Sequence, residues 1–398
     1  MATPTKELEL VDACSLIGSC GFGPVGNEPR QHRTVGVELE SFAVPQIPPE
    51  RLPAVELPAG SRLTFEPGGQ VELSSPPQGS VAAACDALSA DLAATREAFS
   101  PLGVSLVQSG LRPASARPPS RLVDTPRYRA MEAYFDRHWS DDGRAMMRQT
   151  ASVQVNLGLG AGGRASRRWR AANVLGPVLA AAFSSSPTDG GCGNARLATW
   201  LRLDPSRTAP VPCDPGVDPR RAWVDYALDA QVMLIRTDAG AGTDGAGHRC
   251  ATEAGHEALV DEPITARTWI EHGHPLGWPS ADDVAYHLTT LFPPVRPRGW
   301  LELRMIDALP DPWWRVPVAV AAALLDDADA VEACEPVADR WWEAAEEGMA
   351  DPPLAAAAAV CARRALSGLH RVGVDIGTAV MVEQWVATVQ KGCEPPWM

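Results

Sequence analysis

Five glutamates, Glu38, Glu40, Glu66, Glu72 and Glu302, lie in short segments where apolar and polar residues alternate. Alternation of this kind puts every second side chain of a strand on the same face. Carboxylates gathered on one face cannot stand bare. Two of them about 4 Å apart repel by roughly 4 kcal/mol at a surface-like dielectric, so some must be protonated or a cation must join them. A divalent ion removes the conflict, and magnesium prefers a few carboxylates plus phosphate oxygens and water to an all-protein cage. Arginine close to the acids, as in Glu302-Leu303-Arg304, serves the same end. The residue types point to a site for a metal-bound triphosphate, and so to a metal–nucleotide enzyme.

Five segments are expected to position these groups. In 34–41, Val35, Val37 and Leu39 oppose Gly36, Glu38 and Glu40. In 62–74, Leu63, Phe65, Val71 and Leu73 oppose Thr64, Glu66, Gln70 and Glu72, with Pro67-Gly68-Gly69 as the turn. In 152–157, Val153, Val155 and Leu157 oppose Ser152, Gln154 and Asn156. A strand is also expected at 199–204, with Leu201 and Leu203 against Trp200, Arg202 and Asp204, and another at 300–306, with Leu301, Leu303 and Met305 against Glu302 and Arg304. Any one of them fits a half-buried sheet with a solvated polar face. Together they do not, because a solvated face mixes signs and this one is nearly all glutamate.

The remaining elements are read from helical periodicity and caps. Residues 81–99 carry Val81, Ala84, Cys85, Leu88, Leu92 and Phe99 on one face after Ser80 as N-cap. Further helices are expected at 126–139, 164–183, 219–230, 315–328, 336–349 and 354–370, and a short one from Lys6 to Ile17 within an N-terminal extension, 1–33. Residues 237–263, rich in Gly, Ala and Thr, read as a long mobile loop. No linker divides the chain, so 1–398 reads as one catalytic domain.

Composition narrows the classes. A net charge of −14 argues against nucleic acid or an anionic membrane as partner. No apolar run approaches the roughly 18 residues of a membrane span. Lys6 and Lys391 are the only lysines and neither follows a phosphate-loop glycine, which excludes that class of ATP enzyme. Nine scattered cysteines without a C-x-x-C pair suit a reduced, cytoplasmic protein.

Several signals compete. Gly21-Phe-Gly-Pro-Val-Gly26 matches a dinucleotide fingerprint in letters only, since no strand precedes it. Gly158-Leu-Gly-Ala-Gly-Gly163 follows a strand and opens a helix, the context a dinucleotide fold demands. Its strand alternates instead of being apolar on both faces, which disfavours an oxidoreductase but leaves a phosphate-cradling role open. His248, Cys250 and His256, like His272 and His274, fit no common zinc spacing.

The same strands resemble glutamate–cysteine ligase family 2, the carboxylate–amine ligases of bacteria and plants. The resemblance runs through Val35-Gly-Val-Glu-Leu-Glu40, Phe65-Glu-Pro-Gly-Gly-Gln-Val-Glu-Leu-Ser-Ser-Pro76 and Thr150-Ala-Ser-Val-Gln-Val-Asn-Leu157. It continues through Arg196-x-x-x-Trp200 with Asp204-x-x-Arg207-Thr208, Asp225-Tyr-Ala-Leu228, His287-Leu-Thr-Thr-Leu-Phe-Pro293 and Trp300-Leu-Glu-Leu-Arg304, in family order over about 34–330. Within the family the likeness is greatest to the actinobacterial branch that serves ergothioneine synthesis. The resemblance implies an α+β fold, a curved, largely antiparallel sheet with helices packed on its outer face, similar to the catalytic domain of glutamine synthetase. It implies that ATP phosphorylates the γ-carboxylate of L-glutamate and that the amine of L-cysteine displaces phosphate, with two or three Mg²⁺ ions. Carried over position by position, Glu38, Glu40, Glu66, Glu72 and Glu302 are metal ligands or the groups that hold them. Gln154 is either a further ligand or a hydrogen-bond partner, and Asn156 supports the site. Arg304 stabilises transferred phosphate. Arg196 and Trp200 form the glutamate pocket, Thr150 contacts glutamate or only fills a strand, and Arg207 serves catalysis, substrate binding or a surface salt bridge. A family ligase with another acceptor amine is the alternative, and a monomer is the expected assembly.

Overall fold

The computed structural model describes residues 8–24, 34–113, 120–160, 163–237, 256–260 and 262–398. Nine strands are described: β1 Val35–Val44, β2 Arg62–Phe65, β3 Val71–Ser74, β4 Ser105–Val107, β5 Val153–Gly158, β6 Leu234–Thr237, β7 His256–Leu259, β8 Val295–Pro297 and β9 Trp300–Leu303. Six form a path β2-β3-β1-β5-β9-β8, and β4 joins the far end of β1. Every pairing is antiparallel. The α+β class and the antiparallel sheet are as expected from the sequence.

Alternation does the sorting. Val35, Val37, Leu39, Val71, Leu73, Val153, Val155, Leu157, Leu301 and Leu303 are all buried in one large apolar core. On this face lie the helices Val81–Phe99, Gly163–Ala182, Arg315–Leu324 and Pro352–Val372. Ser80 caps the first of them, accepting a hydrogen bond from the Ala83 amide. Gly69, at φ 79°, turns β2 into β3, and its amide donates to Glu66 O at 2.8 Å.

The opposite face is not left to water. Residues from the helices Leu10–Phe22, Pro126–His138, Ser140–Gln149, Ala195–Leu201, Pro219–Asp229 and Ala281–Leu288 wall it in. Ser140–Gln149 and Ala281–Leu288 were not expected from the sequence, being short and polar, and the latter opens with a Ser280/Asp283 capping box.

Three expectations need correction. The segment 199–204 is not a strand: helix Ala195–Leu201 occupies it, followed by Pro205–Thr208. Two leucines in alternation are outweighed by Asn194, which caps the helix at the Leu197 amide, and by Asp204 before Pro205, which caps the next one at Ser206. The N-terminal helix runs Leu10–Phe22, beyond Ile17, because its glycines are packing sites: a Cβ on Gly21 would stand 2.7 Å from the Trp223 ring. Lys6 lies outside the described residues. Within the expected loop 237–263, His256–Leu259 form β7 on β6; residues 238–255 and 261, with His248 and Cys250, lie outside the described residues. No helix among the described residues is long and apolar enough to cross a membrane.

Candidate active site

Register converts the alternating sequence into rows of side chains. Glu40 stands opposite Glu72 of β3, Glu38 opposite Gln154 of β5, and Asn156 opposite Glu302 of β9, which in turn faces Arg296 of β8. Directly opposed residues bring their Cβ atoms within about 4.5–5.5 Å. The rows floor a cavity of about 600 Å³ that Glu38, Glu40, Glu66, Glu72, Gln154, Thr150 and Arg304 all line, with Arg62, Arg127, Arg296 and Arg298 among its other walls.

Glu38, Glu40, Glu72 and Gln154 are each held by hydrogen bonds. The Glu40 carboxylate accepts the Ser152 amide at 2.8 Å and Gln154 Nε2 at 3.1 Å, while Gln154 Oε1 accepts Arg304 NH1 at 2.6 Å. Gln154 therefore bridges acid and base through both ends of its amide. Glu72 accepts the hydroxyls of Thr64 at 3.0 Å and Ser74 at 2.9 Å. Glu38 accepts Asn156 Nδ2 at 3.1 Å, and Asn156 Oδ1 accepts the Trp300 indole N–H at 2.8 Å.

Four of the carboxylates resist ionisation. Burial, then Glu302 and Glu72, push Glu38 from the ordinary 4.5 up to about 7. Burial raises Glu40, although Arg196 and Arg304 oppose it. Burial with Glu72 and Glu40 raises Glu66 strongly, and burial with Glu40 raises Glu72. Glu302 differs. Burial would raise it too, but Arg296, Arg304 and Arg298 outweigh burial and hold it far below the usual range. Arg296 Nε donates to it at 2.6 Å, Arg298 NH1 at 3.0 Å and Arg304 NH1 at 3.1 Å. Burial disfavours the charge on Arg304, yet Glu302, Glu38 and Glu40 more than restore it.

The donor set suits a hard cation. It offers carboxylate and amide oxygens and no thiolate or imidazole, and four of its acids lack the positive charge they need. Among the described residues no three His, Cys, Asp or Glu side chains are gathered closely enough to hold a metal ion by themselves. Gln70 Oε1, Trp200 Nε1 and Trp223 Nε1, on the cavity walls, are buried without a hydrogen-bond partner.

The helix Ala195–Leu201 explains the Arg196-x-x-x-Trp200 spacing, since positions four apart share a helix face. The Arg196 guanidinium lies 6.0 Å from the Trp200 ring centre and that of Arg304 5.8 Å from it. Arg196 NH2 donates to Arg304 O at 2.9 Å, its NH1 is 3.7 Å from Asp307, and its Nε is unpartnered. Thr150 spends its hydroxyl on Met146 O at 2.7 Å.

Arg207 is not brought to this cavity. It is fully buried, donating to Asp204 at 2.8 Å, Thr290 O at 2.8 Å and Gln231 O at 2.6 Å, with its charge over Tyr134. It is not a surface salt bridge, and it knots three chain segments together. Sequence reasoning missed Arg296 and Arg298. The signal was there: both alternate in phase with Glu302 across the Gly299 turn, where φ is 81°. Arg62 carried the same signal, in phase with Thr64 on β2 and Glu66 just beyond it; Arg127 and the trio Met131, Met146 and Met147 had none, because tertiary packing alone brings them to the walls.

Glutamate-cysteine ligase family 2 (GCS2), as a sequence family, matches residues 34–396. The chain belongs to this family. Family 2 membership makes it an enzyme, a glutamate–cysteine ligase. The glutamate–cysteine ligase EgtA of Mycolicibacterium smegmatis is 38% identical over 389 residues, covering 92% of this chain and 86% of its own length. EgtA of Mycobacterium tuberculosis is 39% identical over 368 residues, covering 86% of this chain and 80% of its own. Among solved structures, a bifunctional glutathione synthetase from Pasteurella multocida aligns at a TM-score of 0.49 and 15% identity, over 96% of this chain and about half (49%) of that one.

Proposed function

We propose that this family 2 ligase joins the γ-carboxylate of L-glutamate to the amine of L-cysteine at the expense of ATP, through a γ-glutamyl phosphate, releasing γ-glutamylcysteine, ADP and phosphate. The observation that carries the reading is the row of four charge-starved carboxylates on the floor of an arginine-walled cavity. Glu38, Glu40, Glu66 and Glu72 would hold Mg²⁺ there, two or three ions in all, and the metal would supply charge neutralisation for phosphoryl transfer. A γ-carboxylate oxygen of glutamate attacks the terminal phosphorus of ATP, and ADP leaves. The cysteine nitrogen then attacks the acyl carbon, and phosphate leaves.

Arg304 neutralises the phosphoryl group in flight; its guanidinium is already oriented by Gln154 and Glu302. Glu302 is anchored by three arginines, so we assign it first to fixing Arg304 and only through that to the metal. Arg196 Nε and Trp200 Nε1, both buried and unpartnered, are the donors for the glutamate α-carboxylate. Asn156 and Thr150 brace the floor. The whole chain acts as one catalytic unit, and its place in ergothioneine synthesis rests on its likeness to the EgtA proteins.

The deciding assay is ADP release with Mg-ATP and glutamate against a panel of amines, with the products weighed by mass spectrometry. Amine-independent or absent ADP formation would sink the ligase reading. Preference for an amine other than cysteine would keep the mechanism and discard the acceptor.

A further inference from the structure

On the apolar side of the sheet lies a larger cavity, of about 930 Å³. Val35 and Leu157, which pair across β1 and β5, form one wall, facing Ala323 of helix Arg315–Leu324, Leu325 just after it, and Val331 of helix Ala328–Cys334. Its charged rim is mostly self-matched. Arg168 forks Asp326 at 2.8 and 2.5 Å, Arg170 forks Glu335, and Asp327 takes Arg364 at 2.8 Å and Arg371 at 3.2 Å. Two further arginines on the rim, Arg164 and Arg167, form no ion pair among the described residues, and a single unmatched carboxylate, Glu332, stands against them.

The glycine run after β5 finds its use here. Gly160 has φ +78°, and a Cβ on it would lie 2.7 Å from Arg164 Cδ; one on Gly163 would lie 3.5 Å from Arg167 NH1. At Gly160 and Gly163, two positions of the segment that resembles a nucleotide cradle in letters, the missing side chains leave room for those of Arg164 and Arg167. A guanidinium presents a planar fork that matches carboxylate and phosphate oxygens. A pocket of this size with apolar walls and a few charged groups has the make-up of a small-molecule site. With two unmatched arginines against one unmatched carboxylate, the cavity mouth carries a local excess of positive charge that favours anions there, although the chain as a whole carries −14.

We propose that this cavity binds a small organic anion with an apolar body, its carboxylate or phosphate gripped by Arg164 and Arg167 and its body laid against Leu325 and Val331. The site is separate from the acidic floor, and the proposal stands whether or not the ligase mechanism does.

Titration calorimetry in EDTA tests it with three probes: 1-naphthoate (an aryl carboxylate), ADP (phosphate on a planar base) and inorganic phosphate (an anion without a body). Wild-type protein should saturate with one organic probe at least tenfold more tightly than with phosphate, and which one binds identifies the head group. The double variant R164A/R167A should weaken that binding at least tenfold by removing the grip. V331W should do the same by filling the space, with V331F in its place if V331W lowers the melting temperature. Ligase turnover should persist in all of them. Saturation by neither organic probe overturns the proposal, as does binding that survives either variant.

Discussion

At the scale of single residues, the site separates two kinds of glutamate that sequence alone treats alike. Glu72 carries a raised proton affinity and only hydroxyl partners, whereas Glu302 is ionised and clasped by three guanidinium groups. Their amide variants should diverge. Glu72→Gln should cost at least 100-fold in turnover while leaving the metal-free protein as stable as before or more so, because a repulsive buried charge is gone. Glu302→Gln should lose turnover and also about 3 kcal/mol of stability, since it strands buried arginines. Chemical denaturation beside the ADP assay distinguishes the two, and equal stability losses would refute the division. His287 allows a second test. Burial, then Arg207, lowers it to about 4, with its Nε2 3.0 Å from Ala227 O. In the unfolded chain it titrates near 6.5, so between pH 6.5 and 4 the unfolded state binds the extra proton. Stability should therefore fall as pH drops through that window, by on the order of 3 kcal/mol. A His287→Gln variant should show a flatter denaturation profile there.

At the scale of elements, the strands were legible because each carries its own two-residue period, and pairing merely aligned them. Val37/Glu38, Leu39/Glu40 and Leu301/Glu302 each state one face for the core and one for chemistry. The helix bearing Arg196 and Trp200 was not legible as such, because Leu201 and Leu203 imitate a strand and the decisive cap lies at Asn194, outside that window. Arg207 lies away from the cavity for a different reason: an arginine satisfied by backbone carbonyls, a buried aspartate and the hydroxyls of Thr290 and Tyr134 has no signature in sequence. Asn194 now bears a prediction. Fully buried, it caps the helix at Leu197 and donates to Ala180 O at 3.1 Å. Asn194→Ala should destabilise by about 1–2 kcal/mol. Arg196 moves with the helix, so KM for glutamate should rise more than KM for ATP, read by varying each substrate in turn.

For the molecule as a whole, helices on both faces turn a polar sheet surface into an interior, and that burial sets the response to pH and metal. Glu38, raised to about 7, holds its proton to higher pH folded than unfolded. Its stabilising contribution is complete below about 4.5 and lost as pH rises through 7. Glu40, Glu66 and Glu72 shift in the same direction. The metal-free protein should therefore lose stability from pH 6 to 8. A cation that needs the ionised carboxylates should restore it. Differential scanning with and without Mg²⁺ should show a larger rise in melting temperature at pH 8 than at pH 6. An equal rise at both would argue that the ion binds elsewhere.

The pairing of β1 with β3 and β5 has a consequence for how such a chain can change over time. Core and site are written on alternate letters of the same words, so either can drift by substitution without disturbing the other. A one-residue insertion or deletion between Val35 and Glu40 is another matter, for it would turn carboxylates into the hydrophobic layer and valines into the cavity at a single stroke. Length variation in this lineage should therefore collect in connections, such as 45–61 between β1 and β2, and the spacing from Val35 to Glu40 should behave as a reading frame.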